Sequence, residues 1–242
     1  MNIKLRGKLV WTIERGISAI ADKTIGHLPQ IRRRKKIFCI GLHKTGTTSL
    51  CWMGGKLGYK AVHSTDWAKS SIKIFKFDFF SDGGSHFDGI NEFDFERWFY
   101  RYPNALFILQ TRETERWVVS KLMHAGWKEG TAIEPDDEEK IRHQDWRYKS
   151  LLTIRKFIEH KYSYEKRVVD FFEKHGADRL LVVDVTNRSI QSSEINRMLE
   201  FLDSECELEF PQLNKAGSGV KLSGEVESCI ERTISICREN NA

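Results

Sequence analysis

Residues 36–50 of the chain read KIFCIGLHKTGTTSL. The apolar run Ile37 to Ile40 is typical of a strand that is buried on both faces. Gly41 ends this run, and the residues from Thr47 to Leu50 predict the start of a helix. The first N–H groups of a helix have no partners within the helix, and the helix dipole is positive at that end. A strand, a glycine-bounded loop and a helix start in this order therefore predict a cradle for a phosphate.

The position of the lysine in this loop decides which phosphate chemistry is favoured. In the loops of nucleoside triphosphatases, a lysine directly follows the second glycine and reaches the β- and γ-phosphates. Here Thr47 follows Gly46, and the lysine of the loop comes earlier, at Lys44. The loop thus retains the features that bind an anion, but its lysine lies before the second glycine and not directly after it.

A second phosphate-binding pattern follows the clearest central strand of the sequence. The segment from Ala105 to Gln110 is apolar and leads to Arg112, and Ser120 comes eight residues later, in the next predicted helix. A planar guanidinium suits bidentate binding of a phosphate. Two phosphate-binding patterns, each at a junction between a strand and a helix, are a much more specific signal than either one alone.

Together these motifs resemble those of sulfotransferases, enzymes that use 3′-phosphoadenosine 5′-phosphosulfate (PAPS), and in particular the small bacterial-type members. The resemblance implies that the 5′-phosphosulfate binds to the loop residues Lys44, Thr45, Gly46, Thr47, Thr48 and Ser49. It implies that Arg112 and Ser120 bind the 3′-phosphate and that Lys44 neutralises the charge that grows on the bridging oxygen. No metal is required by this chemistry, because a sulfuryl group carries less charge than a phosphoryl group. The chain has Thr114 where the family often has proline.

Two residues are candidates for taking the proton from the acceptor. His63 ends a second predicted strand, which begins at Tyr59, and the carboxyl ends of parallel strands face the ligand crevice. Asp82 closes the segment Asp-Phe-Phe-Ser-Asp, residues 78–82, which resembles an acidic patch of the small bacterial-type sulfotransferases. The sequence does not choose between His63 and Asp82.

Two further segments are compared with the same subgroup. Tyr164 stands where those proteins often have a histidine, with His160 one turn earlier as a candidate substitute. Residues 210–215, FPQLNK, resemble a segment near the carboxyl terminus of the subgroup.

Strands that alternate with helices predict a three-layer, P-loop-like α/β fold with a mostly parallel central sheet flanked by helices. We assign this domain to residues 36–242 and a basic amphipathic helix with a linker to residues 1–35. Residues 1–36 carry a net charge of +8, so the remainder carries −3 and gives no support to nucleic-acid binding. The amphipathic helix predicts either packing on the domain or a partner subunit, or peripheral contact of residues 1–36 with an anionic membrane.

Length and composition fit one soluble domain. The chain has 242 residues, of which 40% are hydrophobic and 30% charged. No apolar run resembles a secretion signal or a membrane span. The five scattered cysteines favour reduced thiols over disulfides or a zinc site. We therefore expect a cytoplasmic protein, with peripheral membrane attachment as the open alternative.

The predicted function is that of a PAPS-dependent sulfotransferase, which transfers a sulfuryl group to a hydroxyl or amine by in-line attack. The acceptor is left open among glycans, lipid-linked molecules and small hydroxyl compounds, and the sequence does not address the oligomeric state. One alternative is a P-loop kinase of a small metabolite, which requires Mg²⁺ and ATP. The other is a catalytically silent module that binds a nucleotide or a membrane.

Overall fold

The computed structural model describes residues 35–64, 67, 71–82, 95–142, 147–208 and 221–240. Residues 1–34 of the predicted N-terminal segment and the FPQLNK motif lie outside these ranges. The division into a basic N-terminal segment and a domain therefore remains a prediction.

Within the described ranges the sheet has five strands, which are β1 (Ile37–Cys39), β2 (Ala61–His63), β3 (Phe79–Ser81), β4 (Leu106–Gln110) and β5 (Leu180–Val183). Their order across the sheet is β2-β3-β1-β4-β5, and every neighbouring pair is parallel. In the centre, Phe38 is paired with Phe80 on one side and with Phe107 on the other. The carboxyl ends of β3, β1 and β4 consequently lie side by side.

The described helices are α1 (Thr47–Lys56), α2 (Ser71–Lys76), α3 (Phe95–Arg101), α4 (Thr114–His124), α5 (Glu138–Arg142), α6 (Leu151–His175), α7 (Gln191–Phe201) and α8 (Gly224–Glu239). Side chains cap several of them. Glu113 accepts from two N–H groups of the first turn of α4, and Ser150 and Ser223 cap α6 and α8. Such caps satisfy N–H groups that have no partner within the helix.

Two hydrophobic clusters show that helices cover both faces of the sheet. Alternate residues of β1 belong to different clusters, with Phe38 in one and Ile37 and Cys39 in the other. The cluster around Phe38 includes residues of α3, α4, α6 and α8, whereas the cluster around Ile37 includes residues of α1 and α7. The predicted three-layer α/β fold with a parallel central sheet is therefore confirmed.

The structure adds two elements that the sequence reading missed. Strand β3 lies within residues 78–82, where the sequence indicated only an acidic patch, and helix α2 precedes it. Three residues, Phe79 to Ser81, are too few to show a period, and all three are buried. The region between α4 and β5 contains the short helix α5 and the long helix α6.

Among the described residues, no helix combines the length and apolarity needed to cross a membrane.

Candidate functional site

The two glycines of the phosphate loop are required for different reasons. A Cβ on Gly41 would lie 2.0 Å from the carbonyl oxygen of Gln110, at the end of β4. The same pair is joined in both directions, from the Gly41 N–H to Gln110 Oε1 at 3.0 Å and from Gln110 Nε2 to the Gly41 carbonyl at 3.2 Å. Gly46 has φ +93°, and a Cβ there would approach Val185 Cγ2 to 2.8 Å. Close packing and left-handed backbone thus fix the shape of the loop.

Two other residues of this region also have left-handed backbones, although they are not glycines. Lys44 has φ 72° and Asp82 has φ 66°. This conformation is unfavourable for a residue with a Cβ, and it persists only where the surrounding structure imposes it. Lys44 and Asp82 were both singled out from the sequence as site residues, so the strain coincides with the candidate site.

Contacts from β4 and α4 connect the phosphate loop with the second motif. Arg112 Nη1 donates a hydrogen bond to the Lys44 carbonyl over 3.1 Å. The Trp117 indole, in the first turn of α4, donates to the His43 carbonyl over 2.8 Å. Arg112 and the loop that carries Lys44 therefore lie next to each other. Ser120 lies one turn beyond Trp117 and is buried.

Asp82 is the centre of a hydrogen-bonded group that includes two histidines. Its Oδ1 atom lies 2.6 Å from His43 Nδ1 and accepts a hydrogen bond from the Thr47 hydroxyl over 3.1 Å. Its Oδ2 atom lies 3.6 Å from His63 Nε2. Burial alone would raise the pKa of Asp82, but the hydrogen bond and charge of His43, with His63 and Thr47, hold it below its usual value. Asp82 is therefore an ionised carboxylate that accepts from its neighbours.

His63 reaches the first turn of α1 from the end of β2. Its Nε2 atom lies 3.2 Å from the Thr47 hydroxyl and 3.3 Å from the Thr48 hydroxyl. The side chain is 34% exposed, in contrast with that of His43 at 9%. His63 thus lies beside the predicted phosphosulfate site and remains open to solvent.

The remaining loop residues differ in what they offer to a ligand. The Thr45 hydroxyl donates to the Leu42 carbonyl, so this side chain is engaged within the loop. Ser49 is buried in α1. At Gly46, Thr45 and Ser49 the backbone N–H groups are therefore the expected binding groups. The Leu50 N–H already bonds to the Gly46 carbonyl over 3.1 Å, which closes the first turn of α1.

Sequence reasoning missed two residues of the site. His43 was passed over beside Lys44, although a histidine within a phosphate loop was a visible signal. Lys121 follows Ser120 directly, is 5% exposed, and interacts electrostatically with both Lys44 and Asp82. A lysine in an amphipathic helix is usually solvated, so only the tertiary structure distinguishes this one.

The side chain of Tyr164 makes a contact within the fold, between α6 and the end of β1. Its hydroxyl donates to the Ile40 carbonyl over 2.6 Å, at the end of β1. His160 stacks on the Tyr164 ring at 6.1 Å between centroids. The tyrosine thereby joins α6 to the strand that leads into the phosphate loop.

Helix α4 accommodates threonine at position 114, where the family often has proline. Thr114 is the first residue of α4, and the side chain of Glu113 caps this helix. The first helical position is where proline is favoured, and other residues are tolerated there as well.

Within the described ranges, no group of three or more His, Cys, Asp or Glu residues could hold a metal ion.

Comparison with known proteins adds an independent finding. A family model described as a sulfotransferase domain matches residues 36–218. No curated protein matches the chain. The matched region spans most of the chain and contains the phosphate loop, His63, Asp82, Arg112 and Ser120. The chain therefore belongs to the sulfotransferase domain family.

Proposed function

We propose that the protein transfers a sulfuryl group from PAPS to a hydroxyl or amine of an acceptor. The observation that carries the proposal is the 3.1 Å hydrogen bond from Arg112 Nη1 to the Lys44 carbonyl. It brings a guanidinium suited to the 3′-phosphate next to the loop suited to the 5′-phosphosulfate. PAPS is distinguished from ordinary nucleotides by having both groups.

The loop fits the 5′ end of the donor. The left-handed backbone at Gly46 leads into α1, whose first N–H groups and positive dipole end favour an anion. No acidic residue occupies the first turn of α1, so no carboxylate of the helix competes with the ligand there. The hydroxyls of Thr47 and Thr48 lie in the same turn and add two donors.

When bound, PAPS supplies the sulfuryl group, whose bond to the bridging phosphate oxygen breaks as the acceptor oxygen or nitrogen attacks sulfur in line. Lys44 stabilises the negative charge that develops on the leaving phosphate. Arg112 and Ser120 hold the 3′-phosphate and so fix the position of the nucleotide. Fixed geometry of this kind lowers the barrier by removing the entropy cost of alignment.

His63 is the residue that we assign as the base, with Asp82 as the group that positions it. Both oxygens of Asp82 face neighbouring donors, and its pKa is lowered, so the carboxylate is a weak base. The Thr47 hydroxyl donates to Asp82, so its oxygen is left to accept from His63 Nε2. In this arrangement Nδ1 keeps the lone pair that receives the proton of the acceptor.

Calorimetric titration tests the donor assignment. Adenosine 3′,5′-bisphosphate, the product of the proposed donor, is compared with ATP and Mg²⁺. We expect the bisphosphate to bind more tightly, and Arg112→Ala to weaken its binding by about 10- to 100-fold, since a bond to a charged group is lost. Preference for ATP with Mg²⁺ would support the kinase alternative and contradict the proposal.

Transfer itself is tested with PAPS labelled in the sulfuryl group and a panel of hydroxyl and amine acceptors. Labelled product must form with at least one class of acceptor. Tight bisphosphate binding without transfer to any glycan, lipid-linked or small hydroxyl acceptor would favour the silent nucleotide-binding module.

Peripheral membrane contact through residues 1–36 is a separate proposal, supported by the charge of +8 on this segment. Co-sedimentation with vesicles should increase with the content of anionic lipid. Binding that is independent of that content would contradict the proposal.

A further inference from the structure

Lys121 lies on the face of α4 that contacts the phosphate loop. It follows Trp117 by one turn, and residues four apart on a helix share a face. Because the Trp117 indole donates to the His43 carbonyl, this face of α4 is held against residues 43 and 44. Lys121 is thus directed to the same loop from which Lys44 comes.

The Lys121 side chain is buried, and no described carboxylate lies within ion-pair distance of it. Only 5% of the residue is exposed, and the structure shows it no hydrogen bond or carboxylate within ion-pair distance among the described residues. Its ammonium nitrogen lies 5.3 Å from the centre of the Phe157 ring, on α6. A cation above an aromatic face gains some stabilisation, but much less than the burial of an isolated ammonium costs.

Several neighbouring segments place charged or aromatic groups around Lys121. Lys44 in the phosphate loop repels its charge, and Asp82 after β3 attracts it. On its own helix, His124 is three residues away, and the charge of Lys121 contributes to lowering the pKa of that histidine after burial and Lys44. Helix α6 contributes the Phe157 ring. Burial is the largest cause of a Lys121 pKa of about 8, with Lys44 second.

An excess of buried positive charge beside a phosphate loop fits a site completed by an anion. We propose that Lys121 is a second ammonium of the donor site, which binds an anionic oxygen when the phosphosulfate occupies the loop beside Lys44. This inference rests on the proposed function. It adds a binding residue to which neither the sequence motifs nor the family match assigns a role.

The proposal predicts that ligand binding takes up protons. A nearby anion favours the charged amine and raises its pKa. At pH 8 the free amine is about half protonated, so anion binding should take up about half a proton at this residue. At pH 6.5 the amine is already protonated, so anion binding should cause almost no proton uptake at this residue. Comparison with a variant that lacks the amine separates proton uptake at Lys121 from uptake by the ligand phosphate and by other side chains.

The experiment is calorimetric titration of the full chain with adenosine 3′,5′-bisphosphate, in buffers of different ionisation enthalpy, at several pH values between 6.5 and 9. We expect uptake by the wild-type protein to rise from pH 7 to above pH 8. Lys121→Met, which retains the length and apolar stem of the side chain, should lose this rise and bind the bisphosphate about 10- to 100-fold more weakly at pH 7. Lys128→Met, at an exposed position after α4, should retain both properties.

The outcomes separate the inference from the proposed function. Tight binding with equal proton uptake in wild type and Lys121→Met would overturn the role of Lys121 alone. Absence of bisphosphate binding to the wild type would overturn the proposed function and this role with it. Should Lys121→Met fail to fold, the wild-type profile still decides, because a flat profile above pH 7 contradicts the proposal.

Discussion

At the scale of single residues, charge and backbone strain are concentrated where the chemistry is proposed. Lys44 and Asp82 have left-handed backbones, and the buried ammonium of Lys121 interacts with both. Such arrangements cost free energy in the folded protein and are retained where they serve binding or catalysis. Substitutions at these residues should therefore separate stability from activity.

Lys44→Ala should lower the turnover number by about 100-fold or more, since the charge that stabilises the leaving phosphate is removed. Bisphosphate affinity should fall less than turnover, because the backbone N–H groups of the loop remain. Single-turnover kinetics with PAPS and calorimetry measure the two effects. Turnover close to that of the wild type would contradict the role assigned to Lys44.

His63→Gln and Asp82→Asn should differ in their pH profiles. Loss of the base should lower turnover by about 10²- to 10⁴-fold and remove the decline of turnover below neutral pH that reliance on a histidine base implies. Asp82 has a lowered pKa and stays ionised through that range, so Asp82→Asn should reduce turnover while retaining the decline. His175→Gln, at the far end of α6, is the matched control. A pH decline that persists in His63→Gln would instead assign the base elsewhere.

Lys121 should make the free protein less stable at neutral pH than near pH 10. The pKa of this lysine is about 8 in the folded protein, compared with 10.5 for an unperturbed lysine, so the unfolded chain binds more protons between these values. The free energy of unfolding should therefore rise with pH across this window, by an amount on the order of 3 kcal/mol. Denaturant unfolding at pH 7 and pH 10 measures it.

Lys121→Met should be more stable than wild type at pH 7 and lack most of this rise. A variant that is less stable at pH 7 and keeps the rise would show that other groups produce the pH dependence.

How far the sequence predicts the site depends on whether a residue carries its own local signal. Lys44 and Arg112 belong to recognisable patterns, and His63 could be placed because strands of a parallel sheet end at one edge. His43 stands within the loop pattern, but the pattern assigns it no role, and Lys121 belongs to no pattern. Their importance arises from Asp82 and from the packing of α4, which are distant in sequence.

At the scale of secondary structure elements, the phosphate loop depends on how closely β1 and β4 approach. Gly41→Ala should destabilise the protein by about 2 to 4 kcal/mol, because the added Cβ would meet the Gln110 carbonyl at 2.0 Å. Gly55→Ala is the matched control, since nothing lies within 4 Å of a Cβ there. Gly55 is inside α1, so its replacement should stabilise by about 0.5 to 1 kcal/mol. Equal destabilisation by both changes in denaturant unfolding would contradict this account.

Element prediction succeeded where the chain shows a period or a long apolar run. The clearest predicted strand, Ala105 to Gln110, agrees with β4 to within one residue. Strand β3 was missed because a three-residue strand buried on both faces has no alternation to detect. Its pairing with β1 and β2 decides its conformation, and that information lies outside the segment.

At the scale of the whole molecule, the described donor-site residues all belong to residues 36–242. We expect a chain shortened to this range to fold and to bind adenosine 3′,5′-bisphosphate with an affinity within about threefold of the full chain, since the described contacts of the site would be retained. Calorimetry and thermal unfolding of both chains measure this, and vesicle binding of the full chain alone would place membrane contact in residues 1–35. Loss of nucleotide binding on shortening would show that the N-terminal segment belongs to the domain.

The strand order also has a consequence for how acceptor choice can diverge. Lys44 and Arg112 follow β1 and β4, whereas His63 ends β2 and Asp82 follows β3, towards one edge of the sheet. In the proposed function, the residues that bind the nucleotide follow β1 and β4, whereas the residues that contact the acceptor come from the β2 and β3 side of the sheet. When the segments after β2 and β3 are exchanged between two related domains, acceptor preference should follow the exchanged segments. Binding of the sulfuryl donor should remain that of the recipient domain.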